Sequence, residues 1–201
     1  DYNPHSAPGY GWPTGKLSWV NPSPNASSLN MARCYAGTVL LEGTTLSEGR
    51  GTTIAMEIAG APDINMDHVL AQMQSMSNHW LGGATIRSCF FEPTFHKHAG
   101  KLCSGFQIHT DNSNYQHQEF KPYRLIVLLL KAVRQLYPDY DLWSQHPYEY
   151  ETTRLPFDVI NGGTYVREWI EDNEAHIIDL EKRLVAHENE WQESAEEMFI
   201  Y

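Results

Sequence analysis

The sequence has few cysteines, few basic side chains and no long apolar run. Its three cysteines form no C-x-x-C pair, and so odd and sparse a set predicts no disulfide framework. The longest apolar run covers residues 125–130, whereas a membrane-spanning helix needs about 18 or more. Because 25 acidic residues outnumber 14 basic ones, the net charge of -11 disfavours nucleic acid and anionic membrane surfaces as partners.

The length and composition favour one globular domain. The chain has 201 residues, of which 41% are apolar, enough to bury a core. Its first residues, DYNPHSAPGYGWPTGK, show neither the basic region nor the apolar centre of a signal peptide. The chain also does not begin with Met. We therefore expect a processed product or a fragment of a longer protein.

Residues 1–30 are rich in Pro, Gly, Ser and Asn, and resemble an interdomain connection. The stretch NPSPN contains two X-Pro steps, which favour extended or turn geometry over helix. Trp12 and Trp19 are the residues that we expect to anchor this connection to a core. Residues 31–201 are then predicted to form the folded domain.

The order of the predicted elements favours an α+β fold with a mixed sheet packed by helices. A short strand is predicted at Thr38–Glu42, and a helix capped by Asn65 or Asp67 follows it. Two strands come next, in TIRSCFFEPTF and GFQIHT, and then a buried helix begins near Pro122. The remaining predicted elements are two short helices on either side of a Gly-Gly break, and a long amphipathic C-terminal helix with an apolar stripe of Ile177, Leu180, Leu184, Trp191 and Met198.

The stretch EGTTLSEGRGTT, residues 42–53, combines glycines, hydroxyl side chains, two glutamates and an arginine. It lacks the Lys that a G-x-x-x-x-G-K-[ST] phosphate loop requires, and no G-x-G-x-x-G occurs, so nucleotide binding is disfavoured. Glu48 and Arg50 could face a polar ligand, since Arg suits carboxylates and Glu accepts from hydroxyl groups. A loop whose hydroxyls satisfy its own backbone is an equally good interpretation.

Histidines at positions 96, 98 and 109, with Cys103, raise the alternative of a zinc site. Their spacing matches no known ligand pattern, and Lys97 would place a positive charge beside the metal. We therefore expect no metal, and nothing in the sequence indicates a cofactor. Gln107 and His109 fall on the polar side of the strand that buries Phe106 and Ile108, which suits the wall of a pocket.

Pairs of carboxylates could serve glycoside hydrolysis, which usually needs two of them. Glu42 with Glu48, or Glu92 with Glu48, are the pairs that the sequence offers. No G-x-S-x-G nucleophile motif is present.

Five motifs, in one order, are similar to those of the bacterial exo-β-N-acetylmuramidase family. They are LSWVNPSPN, YAGTVLLEGTTLSEGRGTT, IAGAPDI, FEPTFHKHAGKLCSGFQIH and FDVINGG. The resemblance implies a two-domain hydrolase in which an N-terminal Rossmann-like domain precedes a smaller domain, with the active site between them. It further implies release of N-acetylmuramic acid from the non-reducing ends of peptidoglycan fragments, as in bacterial cell-wall recycling.

The matched motifs belong to the second of these domains. The family's proposed catalytic glutamate lies in the first domain and has no counterpart here, so we expect no catalytic residue in this chain and no activity from it alone. Its partners would be its own N-terminal domain and a peptidoglycan-derived sugar, in an extracytoplasmic (periplasmic or secreted) location. The alternative is a non-catalytic carbohydrate-binding or interaction module.

The resemblance directs attention to polar residues of the loop and the strand. Arg50 suits the lactyl carboxylate that distinguishes muramic acid from glucosamine. Glu48 and Arg50 are predicted to face the missing domain rather than the core. The predicted substrate-binding residues are Glu48, Arg50, His98, Gln107 and His109.

Overall fold

Three strands and six α-helices make up residues 18–145 and 147–198, the part of the chain that the computed structural model describes. The strands are β1 (Ile58–Ala61), β2 (Thr85–Phe91) and β3 (Cys103–His109). The helices are α1 (Leu29–Thr38), α2 (Met66–Met76), α3 (Pro122–Leu136), α4 (Pro156–Asn161), α5 (Tyr165–Glu171) and α6 (Ile177–Ala195). Short 3-10 helices cover Val39–Gly43, His79–Leu81 and Glu196–Met198.

The predicted α+β class is confirmed, but the predicted mixed sheet is wrong. The strand order is β1-β3-β2, and β3 pairs antiparallel with both neighbours. The connection from β2 to β3, residues 92–102, contains no helix that could carry the chain back across the sheet, as a parallel pair requires. Strand β3 buries Phe106 and Ile108 and leaves Gln107 and His109 half-buried, so its predicted alternation is confirmed.

Helix α3 forms the centre of the core. Its residues from Arg124 to Val133 are buried without interruption, because α1, α2 and α5 all pack against it. Pro122 stands in its first turn, where proline costs no hydrogen bond, so the predicted start is confirmed. Despite this apolar run, no helix among the described residues is long and apolar enough to cross a membrane.

The strand predicted at Thr38–Glu42 is wrong, because that segment is helical. Helix α1, whose start Ser28 caps with its hydroxyl oxygen, runs through Thr38, and a 3-10 helix continues to Gly43. A Cβ on Gly37 would lie 2.0 Å from the carbonyl oxygen of Pro122, so glycine is what lets α1 approach α3 this closely. This tertiary contact outweighs the local preference that TVLLEG shows for a strand.

Two other predicted boundaries are confirmed. The side chain of Asn65 caps α2 by accepting from the amide of His68 at 3.2 Å, while Asp67 lies in the first turn. Helices α4 and α5 flank the Gly-Gly break, where Gly162 adopts the left-handed conformation with φ +78°.

Helix α6 forms where the C-terminal helix was predicted, but only part of its predicted stripe is buried. Leu180 and Leu184 pack in the core. Trp191 and Met198 are 67% and 64% exposed, so this end of the stripe lies at the surface. Helical periodicity identifies an apolar face, but it does not show how far the surface beneath that face extends.

The predicted anchors of the N-terminal connection are Trp12 and Trp19. Trp12 lies outside the described residues. Trp19 is half-buried, and its indole N–H donates to the carbonyl oxygen of Ala26 at 2.9 Å. Trp19 is therefore fixed close to the start of α1, beside the loop that the sequence singled out.

Candidate functional site

Residues 42–53, here called the glycine loop, run from the 3-10 helix before β1 along the edge of the sheet. Ser47 and Gly60 exchange two backbone hydrogen bonds of 2.8 and 3.1 Å, which tie the loop to β1. The hydroxyl of Thr52 donates to the carbonyl of Gly49 at 2.7 Å, and that of Thr44 donates to the carbonyl of Leu41 at 2.9 Å. These two hydroxyls therefore serve the backbone, as the self-bonded interpretation requires.

The glycines of this loop are required by close packing. Gly49 and Gly51 have φ of +80° and +86°, which side-chain-bearing residues rarely adopt. A Cβ on Gly49 would lie 2.2 Å from the Ile58 side chain, and one on Gly51 would lie 2.7 Å from the backbone nitrogen of Phe95. The glycines let the loop lie between β1 and the neighbouring segment 94–100, whose Thr94 amide donates to the Gly51 carbonyl at 3.0 Å.

Glu48 lies at the centre of the site and is completely buried, with 0% of its side chain exposed. The prediction that it faces outward is therefore wrong. Its Oε1 accepts from Nε of Arg50 at 3.1 Å and lies 3.4 Å from Nδ1 of His96, while its Oε2 accepts from Nζ of Lys97 at 2.8 Å. A buried carboxylate needs such partners, because water is not available to solvate its charge.

Lys97 fastens the segment 94–100 to the glycine loop. Besides Glu48, its ammonium donates to the carbonyls of Leu41 at 2.7 Å and Leu46 at 3.2 Å. Burial lowers the pKa of Lys97, and the neighbouring carboxylate of Glu48 opposes that shift. All three acceptors lie on the segment 41–48, so one side chain fixes the path of the loop.

Of the two predicted loop residues, Arg50 is the one that reaches the surface, with 25% of its side chain exposed. Its Nη2 donates to Oε1 of Glu42, whose Oε2 lies 3.5 Å from the hydroxyl oxygen of Tyr148. Burial and the charge of Glu42 raise the pKa of Tyr148, so this phenol stays protonated. Arg50 is thus held on two sides by carboxylates, while its Nη1 has no hydrogen-bond partner among residues 18–145 and 147–198.

The other three predicted residues divide between two places. His98 joins the glycine loop, because its Nε2 lies 2.9 Å from the carbonyl oxygen of Thr45. Gln107, on the sheet, accepts from Nη2 of Arg87 at 3.0 Å, and Nδ1 of His109 lies 3.8 Å from Asp111. The two sheet residues share one face of β3, but none of the hydrogen bonds or ion pairs found among the described residues links them to Glu48 or Arg50.

The histidines near Cys103 do not assemble with it into a metal centre. No group of three or more His, Cys, Asp or Glu side chains in the described part of the chain is arranged to hold a metal ion. His96 lies against Glu48, and His98 lies against a backbone carbonyl. Burial raises the pKa of the Cys103 thiol to about 11, which disfavours the thiolate that zinc binds.

Arg50 also lines a cavity of about 270 Å³, here called the Arg50 cavity. Trp19 from the N-terminal segment, Met31 and Tyr35 from α1, and Met56 from the chain before β1 form much of its wall. The cavity therefore joins apolar and aromatic surface to the one predicted loop residue that carries an exposed charge.

A family model described as "Exo-beta-N-acetylmuramidase NamZ, C-terminal" matches residues 33–201. The chain belongs to this family. The resemblance drawn from the five motifs is therefore confirmed, since the match covers most of the chain.

A curated relative from Bacillus subtilis (strain 168), named peptidoglycan beta-N-acetylmuramidase NamZ, is 34% identical over 157 residues. The aligned region covers 78% of this chain and 34% of the relative, so the chain spans about a third of that protein. The likeness is thus to one part of a longer protein.

Two solved structures of DUF1343 family proteins from Bacteroides fragilis NCTC 9343 share the fold. One has a TM-score of 0.67 at 17% identity and covers 92% of this chain and 46% of its own. The other has a TM-score of 0.60 at 21% identity, with coverages of 90% and 43%. Both are longer than this chain, as is the curated relative.

Several residues of the candidate site could not be predicted from the sequence. Lys97 is 49 residues from Glu48, and no local pattern indicates that the two side chains meet. Tyr35 was not predicted as a site residue, because the sequence just after it predicts a strand and the helix α1 that carries it was missed. Glu42 could be found, since it opens the motif and was considered as half of a carboxylate pair, but its partner proves to be Arg50.

Proposed function

We propose that this chain is the C-terminal domain of a glycoside hydrolase that releases N-acetylmuramic acid from the non-reducing ends of peptidoglycan fragments. Membership of the NamZ C-terminal family supports this function. So does the name of the B. subtilis relative, a peptidoglycan beta-N-acetylmuramidase. In this proposal the chain forms one wall of a cleft, and an upstream Rossmann-like domain forms the other.

The observation that carries the proposal is the fixed, partly exposed guanidinium of Arg50. Glu48 and Glu42 hold its Nε and Nη2, so the side chain loses little further conformational freedom when it binds. The remaining N–H groups of an arginine form a planar fork that suits a carboxylate. N-acetylmuramic acid differs from N-acetylglucosamine by a lactyl group that ends in a carboxylate, so Arg50 is placed to recognise the acid.

The other residues of the site have supporting roles in this proposal. Glu48 is fully buried and cannot reach a glycosidic oxygen, so it acts by positioning Arg50. His98, Gln107 and His109 are half-buried and lie outside the lining of the Arg50 cavity, so they suit hydroxyl or acetamido groups on other parts of the peptidoglycan fragment. The catalytic carboxylate comes from the upstream domain, and we therefore propose that this chain is inactive by itself.

The substrate also indicates where the protein works. Peptidoglycan lies outside the cytoplasmic membrane, so we propose an extracytoplasmic location, periplasmic or secreted. The scheme includes no cofactor, because most glycoside hydrolases cleave the glycosidic bond with a pair of carboxyl groups and water.

The test joins the chain to its upstream domain and measures release of N-acetylmuramic acid from a chromogenic glycoside. We expect turnover by the joined protein and none by the 201-residue chain. If the joined protein binds the sugar but does not cleave it, the chain is part of a carbohydrate-binding module instead. If the isolated chain cleaves the glycoside, the assignment of catalysis to the upstream domain is wrong.

A further inference from the structure

The Arg50 cavity joins an apolar wall to a single charged group. Ten described residues line it, including Trp19, Met31 and Tyr35, and among the ten Arg50 alone is charged. Ligand sites are commonly concave, mostly apolar and oriented by a few polar groups. The volume of about 270 Å³ lies below the usual range for drug-sized ligands, and so suits one sugar ring rather than two.

The aromatic part of the wall combines one ring that is fixed in position with another that is accessible. The indole of Trp19 is oriented by its hydrogen bond to Ala26, at 2.9 Å. Tyr35 lies on α1, one turn after Met31, and is 44% exposed, which is a high value for a large aromatic side chain. Aromatic rings present a broad apolar face at little entropic cost, and a pyranose ring has an apolar face of its own.

The charge in the cavity is balanced before any ligand arrives. Glu48 is paired with Lys97, and Glu42 is paired with Arg50, so no net charge attracts anions from a distance. Recognition of an acid would therefore depend on directed hydrogen bonds from Arg50, whose Nη1 has no partner in the part of the chain that the structure describes. A neutral sugar could contact the aromatic wall, but it has no carboxylate to accept hydrogen bonds from Arg50.

We propose that the Arg50 cavity binds one carboxylate-bearing sugar unit, with the ring against Tyr35 and the carboxylate on Arg50. The class of sugar rests on the proposed function, whereas the place and the two contacts rest on the geometry of the cavity. Tyr35 is thus a specificity-determining residue for the sugar ring, and Arg50 is one for the acid. Trp19 forms the fixed side of the same wall.

Binding to the 201-residue chain, measured by calorimetry, tests the two contacts separately. The probes are N-acetylmuramic acid and N-acetylglucosamine, which lacks the carboxylate. We expect the unaltered chain to bind the acid about 10-fold more tightly, as one charge-assisted hydrogen bond would provide. Tyr35→Ala should weaken binding of both sugars about 10-fold or more, whereas Arg50→Lys should weaken only that of the acid.

Tyr150→Ala is the matched control, because Tyr150 is fully exposed and does not line the cavity. Its affinities should equal those of the unaltered chain. The proposal is overturned if neither sugar binds at millimolar concentration, if both bind equally, or if Tyr35→Ala behaves like Tyr150→Ala. Thermal unfolding of each variant confirms that it is folded at the temperature of the titration.

A kinetic measurement on the joined two-domain protein separates this inference from the proposed function. A ring contact made equally in ground and transition states should raise KM in Tyr35→Ala about 10-fold and leave kcat unchanged. Turnover with an unchanged KM would overturn the inference and leave the proposed function standing. Selective binding of the acid by the chain, without turnover by the joined protein, would support the inference and overturn the proposed function.

Discussion

At the residue scale, Arg50 is the residue that we propose to bind the carboxylate of the substrate. Its guanidinium is held by Glu42 and Glu48, and part of it lines the Arg50 cavity. Arg50→Ala in the joined protein should lower kcat/KM for an N-acetylmuramic acid glycoside by about 10- to 100-fold, since a hydrogen bond to a charged group contributes roughly 1.5–3 kcal/mol. Initial rates measured below KM give this ratio directly.

Arg154→Ala is the control for that measurement, because Arg154 is an exposed arginine that, within the described part of the chain, pairs only with Glu151 three residues away. It should keep its rate within about twofold, as exposed pairs contribute little. If Arg50→Ala also keeps its rate within a few-fold, Arg50 does not bind the lactyl carboxylate.

Glu48 contributes to stability more than to binding. Glu48→Gln removes the charge that compensates Lys97 in a buried site, and it should lower the free energy of unfolding by about 3–5 kcal/mol. Urea denaturation followed by circular dichroism measures this loss. The control is Glu92→Gln at an exposed position, which we expect to change stability by less than about 0.5 kcal/mol. Equal stabilities of the two variants would show that the buried pair of Glu48 and Lys97 does not stabilise the fold.

At the element scale, α1 determines the shape of the Arg50 cavity, because it carries Met31 and Tyr35. Gly37→Ala tests its close approach to α3. Glycine to alanine inside a helix normally stabilises by about 0.5–1 kcal/mol, but here the new Cβ would meet the Pro122 carbonyl. We expect destabilisation of about 1–3 kcal/mol instead, seen as a lower urea midpoint. A raised midpoint would mean that the two helices have room to separate.

Helix α6 is attached to α3 by ion pairs as well as by leucines. Arg124 on α3 donates to Glu181 at 2.7 Å and also to Glu188. Burial raises the pKa of the Glu181 carboxyl, but the hydrogen bond and charge of Arg124, with a hydrogen bond from Trp80, outweigh burial and make the net shift downward. A lowered pKa in the folded state means that the stabilisation is complete above the ordinary value of 4.5 and is lost as the pH falls below it.

The stability of Glu181→Gln should therefore depend less on pH than that of the unaltered chain. Urea midpoints measured from pH 6 down to about 3 should converge as Glu181 becomes protonated in the unaltered chain. Glu190→Gln, at an exposed position of the same helix, should fall in parallel with the unaltered chain. Parallel curves for Glu181→Gln would show that the pair with Arg124 adds no pH-dependent stability.

The sequence predicts those helices whose apolar residues and start signals lie close together in the chain. The run around residues 125–130, with Pro122 before it, predicts α3 because apolar residues and a helix start occur together. Helix α1 gives no such signal, since its buried residues include Asn30, Gly37 and Thr38. Its packing depends on close backbone approach rather than on an apolar stripe, and periodicity cannot detect that.

For the candidate site, the sequence predicts where the loop lies but not which way each side chain points. The motif in residues 42–53 identifies the loop, and the resemblance to the family identifies its context. The burial of Glu48 depends on Lys97, which comes from a segment 49 residues away, so the loop alone could not indicate which way the carboxylate points. Residues that reach the site through tertiary contacts are those that local sequence leaves out.

At the scale of the whole molecule, the chain corresponds to one part of longer proteins. It spans about a third of the curated relative and less than half of each solved structure. The partly exposed side chains of Arg50 and Tyr35 lie on one cavity and would be available to a sugar held in a cleft with an upstream domain. We therefore propose that this fold supplies recognition, and we expect catalysis to need the rest of the protein.

The most direct test of the proposed function compares two chromogenic substrates of the joined two-domain protein, one an N-acetylmuramic acid glycoside and the other an N-acetylglucosaminide. We predict cleavage of the muramic acid substrate, with kcat/KM at least about 10-fold above that for the glucosaminide, as one charge-assisted contact would provide. Failure to cleave the muramic acid glycoside, or equal kcat/KM for the two substrates, would contradict it.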